Sequence, residues 1–129
     1  MLIRKAVKAD IPVIEKLIND NLDKLLPRDV DQIARLIDSF FIAENEGEIV
    51  GCCCLEVYSH KIAEIRSVAV RGDVREQGIG SELVRAAVES GNSQGIREIM
   101  VVTSNLDFFQ KLNFTTCLNE KYALFWNGK

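Results

Sequence analysis

The chain has 129 residues, of which 47% are apolar and 27% are charged, and its formal net charge is −3. This length and balance fit one ordinary domain with a buried core, and the small net charge indicates neither a nucleic-acid nor a membrane-surface partner. The sequence has no apolar run long enough to cross a bilayer and no signal-peptide pattern at its start, so we expect a single cytoplasmic domain over residues 1–129.

The first half of the chain is predicted to form a strand, two helices and a hairpin. Leu2–Val7 alternates weakly and is typical of a strand, whereas Ile11–Leu26 carries apolar residues at helical spacing. A second, shorter apolar stripe follows at residues 30–37. Phe40–Glu44 and Glu48–Tyr58 then flank an Asn-Glu-Gly turn, which predicts a β-hairpin.

The second half is predicted to alternate strands with helices. A polar loop and a helix beginning at Ile79 join two strands, and such a unit implies a parallel pair with a right-handed crossover. We therefore expect a mixed α/β fold with one central sheet. The predicted strands are Ile62–Val70, a buried Ile99–Thr103 and Phe114–Trp126, with a short helix over Leu106–Leu112.

The cysteines and the single histidine do not indicate a metal site. Cys52, Cys53 and Cys54 are consecutive, and neighbouring residues of a strand point to opposite faces, so the three thiols cannot converge on one ion. We expect them to be reduced and to act as small apolar residues, with Cys117 far away along the chain. His60 falls in a predicted loop without candidate partners.

The most informative segment is a pair of glycines at the start of a helix. Gly78-Ile79-Gly80 follows a polar loop that leaves a strand, and such a turn presents backbone N–H groups and a helix N-terminus to a phosphate. The sequence is not a P-loop, because no Gly-Lys-Ser/Thr follows. Leu83 stands where a dinucleotide-binding fingerprint has its third glycine.

Two landmarks in this half resemble those of the GNAT acetyltransferase superfamily. Arg75–Gly80 fits the pattern Arg/Gln-x-x-Gly-x-Gly/Ala, and Ser104–Phe114 resembles the later landmark of Asn, an aromatic pair and Lys. The strand Ala63–Val70 looks most like the acetyltransferase domain of N-acetylglutamate synthases. The resemblance implies the GNAT fold, with helices on both faces of the sheet and a splayed parallel strand pair that binds acetyl-CoA.

The resemblance also implies which residues hold acetyl-CoA. Backbone groups of the strand ending at Val70 would bond the pantetheine amides, the N–H groups of the glycine loop would hold the pyrophosphate, and the later landmark would lie beside the cofactor. The implied ligands are Val68, Ala69, Val70, Arg75, Glu76, Gln77, Gly78, Ile79, Gly80, Ser81, Asn105, Phe108 and Lys111.

Two charged residues are candidates for chemistry on the acceptor. Glu64 lies four residues before Val68, which would place both on one strand face, and some family members carry a base at this point. Its alternative role is an ion pair with Arg66 or a lysine. Arg66 would bind a carboxylate of the acceptor, and its alternative role is a surface ion pair.

The chain departs from the family pattern at two positions. Phe109 stands where many members have a tyrosine that protonates the departing thiolate. Either water or another group such as Tyr122 would supply that proton, or the catalytic rate would be poor. Asn113 replaces the usual glycine, and asparagine tolerates the left-handed conformation expected there.

The predicted function is therefore transfer of an acetyl group from acetyl-CoA to a primary amine of an amino acid or another small molecule. Two alternatives stay open: a noncatalytic acyl-CoA-binding regulatory module, which Phe109 favours, and a protein lysine or N-terminal acetyltransferase. A homodimer through Tyr122–Trp126 is a further expectation.

Overall fold

A five-stranded sheet organises the fold in the computed structural model, which describes residues 1–116 and 121–128. The strands lie in chain order across the sheet, and only the last pair is parallel, which confirms the mixed sheet. The elements are β1 (Leu2–Lys5), α1 (Ile11–Asn19), α2 (Val30–Arg35), β2 (Phe40–Asn45), β3 (Glu48–Val57), β4 (Ile62–Val70), α3 (Ile79–Ser93), β5 (Glu98–Val101) and α4 (Leu106–Gln110).

Each face of the sheet is covered by its own helices. α3 buries Leu83, Val84 and Ala87 against one face, and α1 and α2 bury Ile14 and Ile33 against the other. Burial of each large aliphatic side chain contributes about 2 kcal/mol, so both apolar layers hold the sheet in place. The predicted placement of helices on both faces is confirmed.

The three consecutive cysteines divide between these two layers. Cys53 packs on the α3 side, and Cys52 and Cys54 pack on the side of α1 and α2. All three are free thiols, and burial raises the pKa of Cys52 and of Cys54 to about 12. Within residues 1–116 and 121–128 no group of side chains has the arrangement of a metal site. Cys117 lies outside the described residues.

The first helix ends earlier than predicted. α1 ends at Asn19 and is followed by a turn, whereas the apolar spacing predicted a helix to Leu26. The Asn21 side chain donates a hydrogen bond to the Leu17 carbonyl at 2.7 Å, and such side-chain bonds compete with the helical ladder. The residues after Asn19 therefore leave the helix and approach the edge of the sheet.

Two predictions about the last third of the chain are wrong. β5 covers Glu98–Val101 and is half-buried, not a buried strand to Thr103, because it has a strand partner on one side only among the described residues. The parts of Phe114–Trp126 that the structure describes form no strand beyond a single bridge at Lys121, and residues 117–120 lie outside them. Trp126 is 85% exposed, and the homodimer through this segment stays a prediction.

None of the helices in the described part of the chain has the length and apolarity that spanning a bilayer requires.

Candidate functional site

The candidate site is a cleft that opens where β4 and β5 stop pairing. The two parallel strands pair only from Ile62↔Glu98 to Ile65↔Val101, while β4 continues to Val70 with β3 on its other side. The cleft has a volume of about 700 Å³, and residues 66–68 and 70 of β4 line it without a partner on the β5 side among the described residues. A ligand with amide groups can add to this free strand edge as another strand would.

A bulge in β4 lies in the middle of this cleft. Ser67 has a left-handed backbone with φ of +56°, and the pairing with β3 jumps from Cys54↔Arg66 to Cys52↔Ala69. The extra residue reverses which face the following side chains occupy. Val68 therefore packs on the α3 side, so the expectation that it shares a face with Glu64 is wrong.

One end of the cleft, here named the glycine end, consists of residues 75–81. Glu76 and Gly78 have left-handed φ angles of +66° and +81°, and α3 begins directly after them. The first turn of α3 leaves backbone N–H groups outside the helical ladder, with the positive end of the helix dipole. The glycine end can therefore hold an anionic group such as a pyrophosphate.

Gly80, in the first turn of α3, lies beside the ring of Phe108. A Cβ at this position would lie 3.4 Å from the Phe108 ring, whose helix α4 covers the start of α3. The Asn105 side chain caps α4 by accepting a hydrogen bond from the Phe108 N–H at 3.4 Å. These contacts narrow the cleft beside the helix N-terminus.

Arg75 joins the glycine end to the segment after α1. Its Nε donates to the Val70 carbonyl at 3.3 Å, and its Nη2 donates to Asn21 Oδ1. Asn21 is only 6% exposed, and Lys24, in the same turn, also lines the cleft. The early end of α1 thus brings further polar and cationic groups to the cleft.

The other end, named the arginine end, contains a network of four side chains on β3 and β4 and in the turn between them. Glu56 faces Glu64 across the two strands, and Arg66 Nη1 donates to Glu56 Oε2 at 3.1 Å. The Tyr58 hydroxyl lies 2.8 Å from Glu56 Oε2 and 2.6 Å from Glu64 Oε1, and its one proton bonds one carboxylate at a time. Arg66 therefore pairs with Glu56 and not with Glu64.

A second guanidinium belongs to the arginine end. Arg28, in the loop before α2, donates from Nε to the Ser67 hydroxyl at 2.9 Å, and its buried Nη2 has no hydrogen-bond partner among the described residues. A buried donor without an acceptor costs free energy. The bulge is therefore flanked by two arginines with donor groups left over.

The structure brings most of the predicted cofactor residues together around the cleft. Four predicted residues do not line it: Glu64, Ala69, Gln77 and Lys111. Glu64 is half-buried beside the cleft and is one of the two carboxylates within hydrogen-bond distance of the Tyr58 hydroxyl. The predicted residues that line the cleft are Arg66, Val68, Val70, Arg75, Glu76, Gly78, Ile79, Gly80, Ser81, Asn105 and Phe108.

The two departures from the family pattern have clear local explanations. Phe109 lines the cleft but is 6% exposed, with its ring edge-to-face against Phe108 at 4.9 Å and against Phe114 at 5.4 Å. Asn113 has φ of +71°, which confirms the left-handed conformation expected of it. Neither substitution disturbs the packing of α4.

Sequence reasoning missed several residues of the site. Arg28 and Glu56 reach it only through tertiary contacts, and no local pattern marks either one. Asn21 and Lys24 lie within the helix predicted over Ile11–Leu26, and polar residues of such an amphipathic helix are expected to face solvent. The lone signal was the Asp20-Asn21 pair, which is unfavourable inside a helix and could have indicated its end.

This chain is similar to known proteins over the strands and helices that form the cleft. The sequence profile of the Acetyltransferase (GNAT) family matches residues 13–114. An uncharacterized N-acetyltransferase of Chlorobaculum tepidum is 35% identical over 114 residues, which cover 87% of this chain and 74% of the relative. An amino-acid acetyltransferase of Mycobacterium tuberculosis is 29% identical over 118 residues, covering 88% of this chain and 68% of that protein.

Two solved structures share the architecture. Rv2747 from Mycobacterium tuberculosis, solved in complex with CoA and the ligand NLQ, superposes with a TM-score of 0.87 at 27% identity and covers 92% of this chain and 74% of its own. N-acetylglutamate synthase from Neisseria gonorrhoeae, complexed with CoA and N-acetyl-glutamate, superposes with a TM-score of 0.81 at 26% identity. The match covers 86% of this chain and 27% of the synthase.

Proposed function

The chain belongs to the Acetyltransferase (GNAT) family of acetyl-CoA-dependent N-acetyltransferases, and on that premise we propose that its acceptor is the amine of a free amino acid. The observation that carries this proposal is Arg66 in the lining of the cleft, with a second arginine, Arg28, bound to the hydroxyl of the adjacent Ser67, which also lines the cleft. A free amino acid brings a carboxylate beside its amine, and guanidinium groups bind carboxylates well. Relatives named amino-acid acetyltransferase support the same acceptor class.

In this proposal acetyl-CoA lies along the free edge of β4. Backbone groups of Val68 and Val70 bond the pantetheine amides, and the glycine end holds the pyrophosphate. Arg75 and Lys24 add positive charge on the cleft wall, where the phosphates are expected. The acetyl group then lies near the bulge, between the two ends of the cleft.

The bulge is the proposed place of reaction. The neutral amine attacks the thioester carbonyl, a C–N bond forms, and the tetrahedral oxyanion accepts hydrogen bonds from backbone N–H groups near Val68. The C–S bond breaks, the electron pair leaves with the CoA sulfur, and the nitrogen loses a proton. Products are the N-acetylated amine and CoA.

The reaction requires two proton transfers, one from the amine and one to the leaving sulfur. Glu64 accepts the proton of the amine through water, because its carboxylate lies beside the cleft and not in its lining. Phe109 has no hydroxyl to protonate the leaving sulfur, so water supplies that proton. A thiolate is a tolerable leaving group without an enzymic acid, since an ordinary thiol has a pKa of about 8.5.

CoA release in the presence of free amino acids and of their carboxylate-free amines tests the proposal. We expect turnover with one or more amino acids, and Arg66→Gln should lower kcat/KM for them by roughly 10- to 100-fold, as loss of a charged hydrogen-bonded pair predicts. The control is Arg85→Gln, whose side chain pairs with Glu82 on the exposed side of α3. Glu64→Gln should lower kcat with little change in the KM for the amino acid.

Three results would count against this function. Acetyl-CoA binding without turnover on any amine would favour a noncatalytic acyl-CoA-binding module. Preference for lysine peptides or protein N-termini would favour a protein acetyltransferase. Equal activity of Arg66→Gln and wild type on amino acids would remove the argument for a bound carboxylate.

A further inference from the structure

Arg66 does not lie in the cleft as a free side chain, because it is held by Glu56. Arg66 Nη1 and Glu56 Oε2 are 3.1 Å apart, and the two side chains are only 33% and 19% exposed. Glu56 comes from the neighbouring strand β3 and does not line the cleft itself. Its contact with the site is made through Arg66 and Tyr58.

The charge of Glu56 is maintained by its surroundings. Burial acts to raise the pKa of this carboxyl, but hydrogen bonds from Tyr58 and Arg66 outweigh burial and hold the pKa below its usual range. Glu56 is therefore ionised at neutral pH. A carboxylate in this state can fix a guanidinium through a charge-assisted bond.

Because Glu56 binds Nη1 of Arg66, the other N–H groups of the guanidinium can bind a ligand. Arginine has five N–H donors in a rigid planar fork, and only Nη1 donates to another side chain within the described residues. Holding one arm in advance removes rotamer freedom that a ligand would otherwise have to restrict. The carboxylate of an acceptor would then meet an arginine that is already oriented.

We infer that Glu56 is a positioning residue, which orients Arg66 from β3 so that its free N–H groups receive the carboxylate of the acceptor. The inference rests on the proposed amino-acid acceptor. Tyr58 supports the same arrangement, because its hydroxyl lies against the oxygen of Glu56 that Arg66 contacts. Glu56 itself contacts neither acceptor nor cofactor.

Steady-state kinetics of Glu56→Gln tests this role, since glutamine keeps the shape and loses the charge. For an amino acid that the wild type acetylates, we expect KM to rise about tenfold, equivalent to 1.4 kcal/mol, with kcat within about twofold. The KM for the carboxylate-free amine and the Kd for acetyl-CoA should not change. Glu56→Asp, which keeps the charge, should restore part of the affinity.

Glu48→Gln is the matched control. Glu48 is also on β3 and also pairs with an arginine, Arg71, but it is 68% exposed and lies away from the cleft. This variant should leave every kinetic constant unchanged. Thermal unfolding of both variants checks that the effect of Glu56→Gln does not come from loss of fold.

A double-mutant cycle with Arg66→Gln decides the mechanism. If Glu56 acts through Arg66, adding Glu56→Gln to Arg66→Gln should produce no further rise in KM. An equal rise in both backgrounds, or no rise in either, would overturn the inference while the proposed acceptor stands. If the wild type does not favour carboxylate-bearing amines at all, the proposed function fails first and the inference fails with it.

Discussion

The two ends of the cleft differ in the groups that form them, backbone at one end and side chains at the other. The glycine end consists mainly of backbone from one continuous segment, residues 75–81, with α3 directly behind it. The arginine end consists of side chains from separate segments: Arg28 from a loop, Glu56 from β3, Tyr58 from the turn after it, and Glu64 and Arg66 from β4. The bulge at Ser67 joins the two ends.

This difference separates what the fold fixes from what individual substitutions can alter. A helix N-terminus offers its N–H groups whatever side chains stand nearby, so most substitutions at the glycine end preserve an anion site. Each donor at the arginine end depends on one side chain and on the partner that orients it. We therefore expect the cofactor site to tolerate sequence change and acceptor choice to be sensitive to it.

The largest expected effect is at Gly80. Gly80→Asp places a carboxylate where the pyrophosphate is proposed to bind, beside the Phe108 ring that a Cβ would meet at 3.4 Å. An acid in the first turn favours the helix, so the fold should persist while the affinity for acetyl-CoA falls roughly 100-fold, or about 2.7 kcal/mol. Isothermal titration measures the affinity.

Gly72→Asp is the control for that change. Gly72 belongs to the loop before α3, has open space around its Cβ position and does not line the cleft. The substitution adds the same charge to the protein, so affinity should stay within about twofold of wild type at moderate salt. Equal losses in both variants would mean that the glycine end is not the phosphate site.

The second effect concerns the bulge at Ser67. Ser67→Val puts a β-branched residue at φ of +56° and removes the hydroxyl that Arg28 contacts. Serine already has a Cβ in this left-handed backbone, so valine adds only the crowding of its second branch, and the main cost is the Arg28 donor that loses its acceptor. Urea unfolding should therefore show a destabilisation of about 1–3 kcal/mol.

Ser67→Gly separates conformation from hydrogen bonding, because glycine accepts a positive φ without strain but has no hydroxyl. We expect this variant to fold with nearly normal stability, to bind acetyl-CoA normally and to show a raised KM for the amino acid. A normal KM would indicate that the contact between Arg28 and Ser67 has no part in acceptor binding. The comparison between the two ends would then rest on Arg66 alone.

The same contrast explains how much the sequence could predict. The order of strands and helices, both helix layers and the glycine end follow from apolar spacing and from Gly78 and Gly80, because local pattern determines local backbone. The bulge does not, since Ser67 gives no local signal for a positive φ. Its effect was to place Val68 on the face opposite to the one expected.

Local pattern predicts the end of the first helix only in part. The apolar spacing continues past Asn19, but Asn21 bonds back to Leu17 and forward to Arg75, and these contacts are tertiary as well as local. The pairing of Arg66 with Glu56 instead of Glu64 depends on strand register, which the sequence leaves open. Side-chain networks between strands therefore need the structure, whereas a backbone site marked by two glycines does not.

The smallest expected effect uses the cysteines, which lie in the two apolar layers on opposite faces of the sheet. Cys53 is covered by the 15-residue helix α3, and Cys52 and Cys54 are covered by the nine-residue α1 and the six-residue α2. All three thiols are buried, and burial raises the pKa of Cys53 well above its ordinary value, so each reacts only when its covering element opens. α2 buries one residue and α3 buries five, and elements with fewer buried apolar contacts open more readily.

In a Cys117→Ser background, iodoacetamide at pH 8 should therefore label the native protein slowly, and Cys52 and Cys54 about threefold faster than Cys53. Tandem mass spectrometry assigns the labelled residue, and labelling in urea gives the rate for the unfolded chain. Acetyl-CoA should slow all three rates, because it stabilises the closed state of the whole domain. Faster labelling of Cys53 than of Cys52 and Cys54 would mean that the layer containing α3 opens more readily than the layer containing α1 and α2. The glycine end would then not be the more stable end of the cleft.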